Sequence, residues 1–337
     1  MRILWLRPSK GDNISVRRER IAEKLAASGF EVVIRDASGF DLPASVWTAI
    51  RGDFDVIAGN VRIGLYAGYP VSRLLRTPFL GDVSDPISDI ADLPEPLFSF
   101  FQWYEWQVLR RADATVCVYE SSYLEAKFRG INAVKLPNTV EYSLFADPDE
   151  ATVSTAGDIL ANNGIDFEKP LAVYLGVFSP NYCINEILAA AERTPDWEFL
   201  FLGEGKLSDE VISASRRLDN VNYPGAFAYE LIPGFLSYAD AGFCFKDAEQ
   251  PLKLKEYAAA GVPVIVRPGE LERWYDENEL VVTEPSPEAV NETLCRLAED
   301  EAWRASVGAR LQRRVADESW DTVATAYKQL FEKIADT

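Results

Sequence analysis

Short apolar runs and amphipathic stretches take turns along most of this chain, the pattern left by strands covered on both faces and by the helices that cover them. Residues 2–6 form the first apolar run. A helix is predicted over 16–27, with Val16, Ile21, Leu25 and Ala26 at its apolar positions, and Gly29 ends it before a strand at 30–34. That is a βαβ opening. Further strands are predicted in 54–60, 78–86, 112–118, 171–176, 197–202 and 264–266, and a strand with its exit loop in 239–249. The last helix, 320–334, carries Trp320, Val323, Tyr327, Leu330, Phe331 and Ile334 as one stripe. The fold class is therefore α/β. A length of 337 residues is long for one core, so two domains are expected. The polar stretch 147–169, which contains Asn162-Asn163-Gly164, is taken as the connection, giving domains over 1–165 and 166–318 and a terminal helix over 319–337.

Composition narrows the chemistry. The formal charge is −19 and histidine is absent, so a Ser-His-Asp triad, a Cys-His pair and a histidine-containing metal site are all ruled out. The acidic excess repels polyanions, and no basic stripe offsets it, so nucleic acid is not an expected partner. Arginine outnumbers lysine on this acidic chain, which suggests a surface suited to high salt and a halophilic source. Cys117, Cys183, Cys244 and Cys295 are widely spaced in apolar or helical surroundings, as buried thiols in a reducing compartment would be. The start reads as a strand rather than a signal peptide, and no run reaches 18 apolar residues. A cytoplasmic protein is expected, soluble or held peripherally on the cytoplasmic membrane face.

The chemistry concentrates at 250–266. Pro251 fits the first turn of a helix, Gly261 the position after its end, and Pro263 prevents continuation. Lys253 and Glu256 are three apart and share one helix face. A cation beside the helix start can hold phosphate oxygens, and a carboxylate one turn on can accept from both ribose hydroxyls. An ordinary i,i+3 surface pair is the competing reading. In the first half, the loop containing Gly11, Asp12 and Asn13 leaves the first strand at a carboxyl end, where open α/β sheets bind ligands. Asp82 and Asp85 leave the strand at 78–86 in the same way and are candidate general bases, with Asp85 preferred and turn capping the alternative. Residues 97–111 are the most aromatic in the chain. They read either as a membrane-facing wedge or, because they run into the strand at 112–118, as rings packed mostly on the sheet; the second reading is favoured.

Pro251-x-Lys253-x-x-Glu256-Tyr257-x-Ala259-x-Gly261-x-Pro263-Val264 resembles the donor-site signature of GT-B glycosyltransferases, in the subgroup with a Pro-x-Lys-x-x-Glu-Tyr form. Leu136-Pro137-Asn138, Phe201-Leu202-Gly203-Glu204-Gly205, residues 220–225 and the tail 303–320 support it in the same order. The resemblance implies two Rossmann-like domains facing each other across a cleft, with the last helix crossing back to the first. It implies transfer of a sugar from a nucleoside diphosphate sugar, UDP or GDP sugar foremost, to a hydroxyl of a glycan or lipid-linked acceptor in glycan, glycolipid or surface polysaccharide assembly. No bound cofactor or metal is implied. The donor side falls on Gly176, Phe178, Gly203 and Phe227, and on Glu249, Pro251, Leu252, Lys253 and Glu256; the acceptor side falls on Gly11, Asp12, Asn13 and Arg17. The chain departs from the pattern in three places. Thr139 replaces a glycine, the loop after 171–176 lacks two expected cations, and the first of two family glutamates falls on Ala248, leaving Asp247 or Glu249 as substitutes. A nucleotide-sugar 2-epimerase, a sugar phosphorylase and a non-catalytic sugar- or nucleotide-binding subunit remain alternatives.

Overall fold

Six parallel strands run through the first half of the chain: β1 (Arg2–Arg7), β2 (Glu31–Asp36), β3 (Val56–Asn60), β4 (Phe79–Val83), β5 (Ala114–Cys117) and β6 (Ala133–Lys135). Their order in the sheet is β2-β1-β3-β4-β5-β6. Every residue of β3, β4 and β5 is buried, as expected of strands with helices on both faces. The computed structural model describes residues 1–8, 16–37, 39–83, 94–249 and 251–336.

The second half repeats the design. Strands β7 (Leu171–Leu175), β8 (Glu198–Leu202), β9 (Val221–Gly225), β10 (Ala241–Cys244), β11 (Val264–Val266) and β12 (Val281–Val282) form a parallel sheet ordered β12-β11-β10-β7-β8-β9. Read outward, strand order reverses between β7 and β10. Such a switch point opens a crevice at the carboxyl edge, where doubly wound sheets bind ligands. The two cores are two Rossmann-like layers of helix, sheet and helix.

Packing divides the chain into Met1–Thr139 with Trp320–Thr337, and Val140–Ser319. The terminal helix Trp320–Ala335 belongs to the first unit. Tyr327 and Phe331 set their rings against Trp5 of β1 at centroid distances of 5.4 and 6.0 Å, and Lys24 meets Asp321 at 2.7 Å.

Residues 140–165 depart from the expected boundary. Phe145, Ala156, Leu160 and Ile165 lie in the same core as Phe235 and Leu236, so this segment packs with the second unit. The polar composition that suggested a linker there belongs to the outer face of helix Glu150–Asn162, whose Asp149 cap accepts from the Thr152 amide at 2.9 Å.

Helix Glu95–Arg111 also departs from expectation. Trp106, Val108 and Leu109 pack inward, yet Leu97, Phe100 and Trp103 on its first turns are about half exposed. The apolar periodicity covers two faces, and only the later one meets the sheet.

Candidate functional site

Helix Leu252–Ala259 starts at the carboxyl edge beside the β7/β10 switch point, with Pro251 as its N-cap rather than in its first turn. Proline offers no side-chain cap at that position, and the Leu254 amide turns back to the Pro251 carbonyl at 3.2 Å. The helix is anchored from within by Tyr257. The Tyr257 hydroxyl donates to the Val173 carbonyl at 2.9 Å and accepts from the Leu175 amide at 3.0 Å. β7 and β10 pair only at Ala172 and Val173, so these are backbone groups the diverging strands leave unmatched. Gly242 makes room for that ring, since a Cβ there would sit 2.6 Å from it. At the other end Gly261 turns in the left-handed region at φ +73°, and Gln312 donates to the Ala259 carbonyl at 2.9 Å.

So anchored, the helix holds its two lysines in different states. Lys255 is ion-paired with Glu318 at 2.6 Å. Lys253 is equally buried, yet its ammonium has no hydrogen-bond partner among the described residues. It lies 4.0 Å from the centroid of the Tyr174 ring and 4.4 Å from that of Tyr182. Burial pushes its pKa down to about 8, with Cys244 and Glu256 opposing and Lys246 reinforcing the shift. Buried polar groups are nearly always paired, so an ammonium without a partner among the described residues, beside the Tyr174 and Tyr182 rings and Gly176, makes this a candidate anion site. Glu256, one turn on, is pushed up to about 7 by burial, against the Tyr229 hydroxyl and Lys253, which pull it down.

Neighbouring loops converge on the same edge. Gly176 follows β7 at φ +115°, and a Cβ there would come 3.1 Å from the Lys253 ammonium. Gly203 follows β8 with its Cα against the Gly176 carbonyl, where a Cβ would come within 1.9 Å. These glycines let two strand exits lie side by side next to the cation. Phe178 is wholly buried among Tyr174, Phe201 and Tyr223, so it presents backbone rather than a ring. The Phe227 ring packs on Phe235 at 4.8 Å, as a staple for the following helix. Glu249 is buried and Leu252 half-buried at the helix entrance. Asp247 is engaged elsewhere, accepting from the Glu270 amide at 2.8 Å.

Four contributors escape a reading of the local sequence. Tyr174, Tyr182, Lys246 and Arg267 come from three strands or strand exits and meet only through the sheet order. Lys246 lies 5.5 Å over the Tyr182 ring, and Arg267 keeps its buried Nε without a partner among the described residues. Two further cations thus stand at the exits of β10 and β11.

In the first unit the sequence-predicted residues take different parts. Asp85, Gly11, Asp12 and Asn13 lie outside the described residues. Asp82 is fully buried, and its carboxylate accepts from the Tyr327 hydroxyl at 2.7 Å. Arg17 is buried too, donating to the Leu136 and Pro137 carbonyls at 2.8 Å each and to Tyr327 at 3.2 Å. Both are corrected from ligand-facing groups to an internal tie that fastens the terminal helix and the 136–138 turn. The network is incomplete among the described residues, where Asp82 Oδ1 and Arg17 Nε are buried without a hydrogen-bond partner.

Two Rossmann-like units, the second carrying a cation and a carboxylate on the helix that follows β10 at the β7/β10 switch point, are the parts of a GT-B fold. Residues 184–329 match the sequence family described as Glycosyl transferase-like. Over 174 residues the chain is 28% identical to TuaH, assigned as a teichuronic acid biosynthesis glycosyltransferase of Bacillus subtilis; the match spans 48% of this chain and 42% of that protein, less than half its length. Among solved structures, Anabaena HepE in complex with UDP and glucose superposes with a TM-score of 0.79 at 16% identity, covering 99% of this chain and 100% of that one. The sucrose-phosphate synthase of Thermosynechococcus elongatus superposes at 0.78 with 16% identity, over 99% and 98%. At these identities the structural likeness establishes the fold.

Proposed function

We propose that the protein is a glycosyltransferase that moves a sugar from a nucleoside diphosphate sugar to an acceptor hydroxyl, of the hexosyltransferase type and without a metal. The observation that carries this is Lys253, a buried ammonium with no hydrogen-bond partner among the described residues, in the first turn of helix Leu252–Ala259. Lys253 and the helix amides take the diphosphate as negative charge develops on the leaving group, and Glu256 takes the ribose hydroxyls. Gly176 and Gly203 let the phosphates approach the backbone. The family match and the UDP bound by HepE support a nucleotide sugar as donor. Where the product is inverted, Asp85 is the base proposed on sequence grounds; a product of retained configuration removes it from that role.

The test is release of nucleoside diphosphate from UDP, GDP and ADP sugars in the presence of glycan and lipid-linked acceptors, with the configuration of the product determined. Release that Lys253→Ala lowers at least tenfold is the expected result. Binding of nucleotide with no turnover of any donor would leave a non-catalytic subunit, and turnover without an acceptor would favour the 2-epimerase.

A further inference from the structure

Residues 176–183 carry the chain from β7 to helix Ile184–Arg193, and the route is fixed along its length. The Tyr174 hydroxyl donates to the Val177 carbonyl at 2.7 Å, and the Phe178 amide donates to the Glu204 carbonyl at 2.9 Å. Pro180 then opens one 3-10 turn, Pro180–Tyr182, which the Tyr182 and Cys183 amides close on the Ser179 and Pro180 carbonyls at 3.0 Å each. Cys183 leaves that turn in the left-handed region at φ +56°. Among the described residues Arg76 is the other non-glycine with a positive φ, and it ends a helix, where that conformation is ordinary. Cys183 stands before a helix that no side chain caps, so helix geometry does not ask for the strain. Strain of this kind points to what the backbone is made to hold. Here that is the Tyr182 side chain.

Tyr182 is half-buried and stands edge-on to Tyr174, with ring centroids 6.4 Å apart and an interplanar angle of 77°. The two rings and Gly176 make three sides of a slot around the Lys253 ammonium, which is shut off from solvent. The other groups acting on that ammonium are Cys244 and Lys246, from β10 and its exit, and Glu256, from its own helix. Arg267, at the exit of β11, acts on Cys183 beside the ring. Lys246 also lies over Tyr182, so one ring faces two cations. Burial outweighs all of these charges in lowering the proton affinity of Lys253. Tyr174 belongs to the core and Gly176 to the backbone. Tyr182 is the side of the slot that a loop supplies, and taking away its ring opens the ammonium to water.

We infer that Tyr182 is a positioning residue, whose ring closes the slot that keeps the Lys253 ammonium dry and fixed at the exit of β7, where an anion meets it. The identity of that anion, the diphosphate of a nucleotide sugar, rests on the proposed function. The slot itself is measured without ligand.

The experiment is competitive labelling of the ligand-free full chain with acetic anhydride from about pH 6.5 to 11, read by mass spectrometry at Lys253, followed by titration calorimetry with UDP, GDP and ADP. Tyr182→Ala should move the midpoint of Lys253 labelling up by at least one pH unit, toward the ordinary lysine value. Tyr182→Gln, which fills the space with a polar group, should move it the same way and serves where the alanine variant is unstable. Tyr182→Phe, which keeps the ring, should leave the midpoint in place. For a nucleotide that binds, Tyr182→Ala should lower affinity at pH 7 at least fivefold, but less than twofold in a Lys253→Met background, because the ring acts through the ammonium. A midpoint unmoved by both polar and small replacements, a Tyr182→Phe shift as large as theirs, or an affinity loss undiminished by Lys253→Met each overturns the inference. A shifted midpoint in a protein that binds no nucleotide supports the slot and overturns the donor reading alone.

Discussion

Lys253 and Glu256 are held against their ordinary ionisation by the same cause, burial. Without ligand, Lys253 falls from 10.5 to about 8, so the unfolded chain binds more protons between those values and this group adds stability as pH rises through them. Glu256 moves the other way, from 4.5 to about 7, so its contribution is present below 4.5 and is lost as pH rises through about 7. A bound diphosphate requires the ammonium. Nucleoside diphosphate affinity should therefore rise as Glu256 ionises near pH 7 and fall above about pH 8 as Lys253 loses its proton, the upper limb by up to roughly tenfold per unit. Titration calorimetry from pH 6.5 to 9.5 would show this limb, and Lys253→Met should flatten it; a limb that survives the substitution assigns the titration to another group. The pair was legible in the sequence because both partners lie within one helical turn. The aromatic faces of Tyr174 and Tyr182 were not, because nothing local ties residues 174 and 182 to 253; only the order of β7 and β10 does.

Helix Leu252–Ala259 is held in place by Tyr257 at the point where two strands part. Tyr257→Phe would strand the Val173 carbonyl and the Leu175 amide in the core, a loss of about 1–3 kcal/mol. Denaturant unfolding should show that loss, and donor affinity should fall with it as the helix start shifts. A variant of wild-type stability and affinity would mean that the strand ends find other partners. Strand and helix positions were readable from apolar periodicity, the helix Val16–Ala27 to the residue. What periodicity misjudged was membership. Helix Glu150–Asn162 shows solvent its polar face and gives Ala156 and Leu160 to the second core, so composition alone made it look like a linker. Arg17 and Asp82 were misjudged for a related reason: charged residues beside strand exits look like ligands until a distant element, here Tyr327, turns out to be their partner.

For the whole molecule, the uneven division of charge changes what high salt should do. A halophilic surface was expected over the entire chain, but repulsion is concentrated in Val140–Ser319, which carries 33 acidic against 15 basic residues. Raising KCl from about 0.1 M, where the Debye length is roughly 10 Å, to about 3 M should slow hydrogen exchange in peptides from 140–319 much more than in those from 1–139. Equal slowing in both would place the salt effect outside this charge distribution, and faster exchange in 140–319 would contradict a salt-adapted surface.

For the protein to use a nucleotide sugar as proposed, an anion must complete the Lys253 site. Calorimetric titration of UDP, GDP and ADP into the wild-type protein, Lys253→Ala and Lys255→Ala measures this directly. At least one nucleotide should bind the wild type, Lys253→Ala should weaken it by roughly 1.5–3 kcal/mol, the range of a charge-assisted contact, and Lys255→Ala, which removes the same charge from the Glu318 pair, should leave it nearly unchanged. No nucleotide binding, or equal losses from the two lysines, would contradict it.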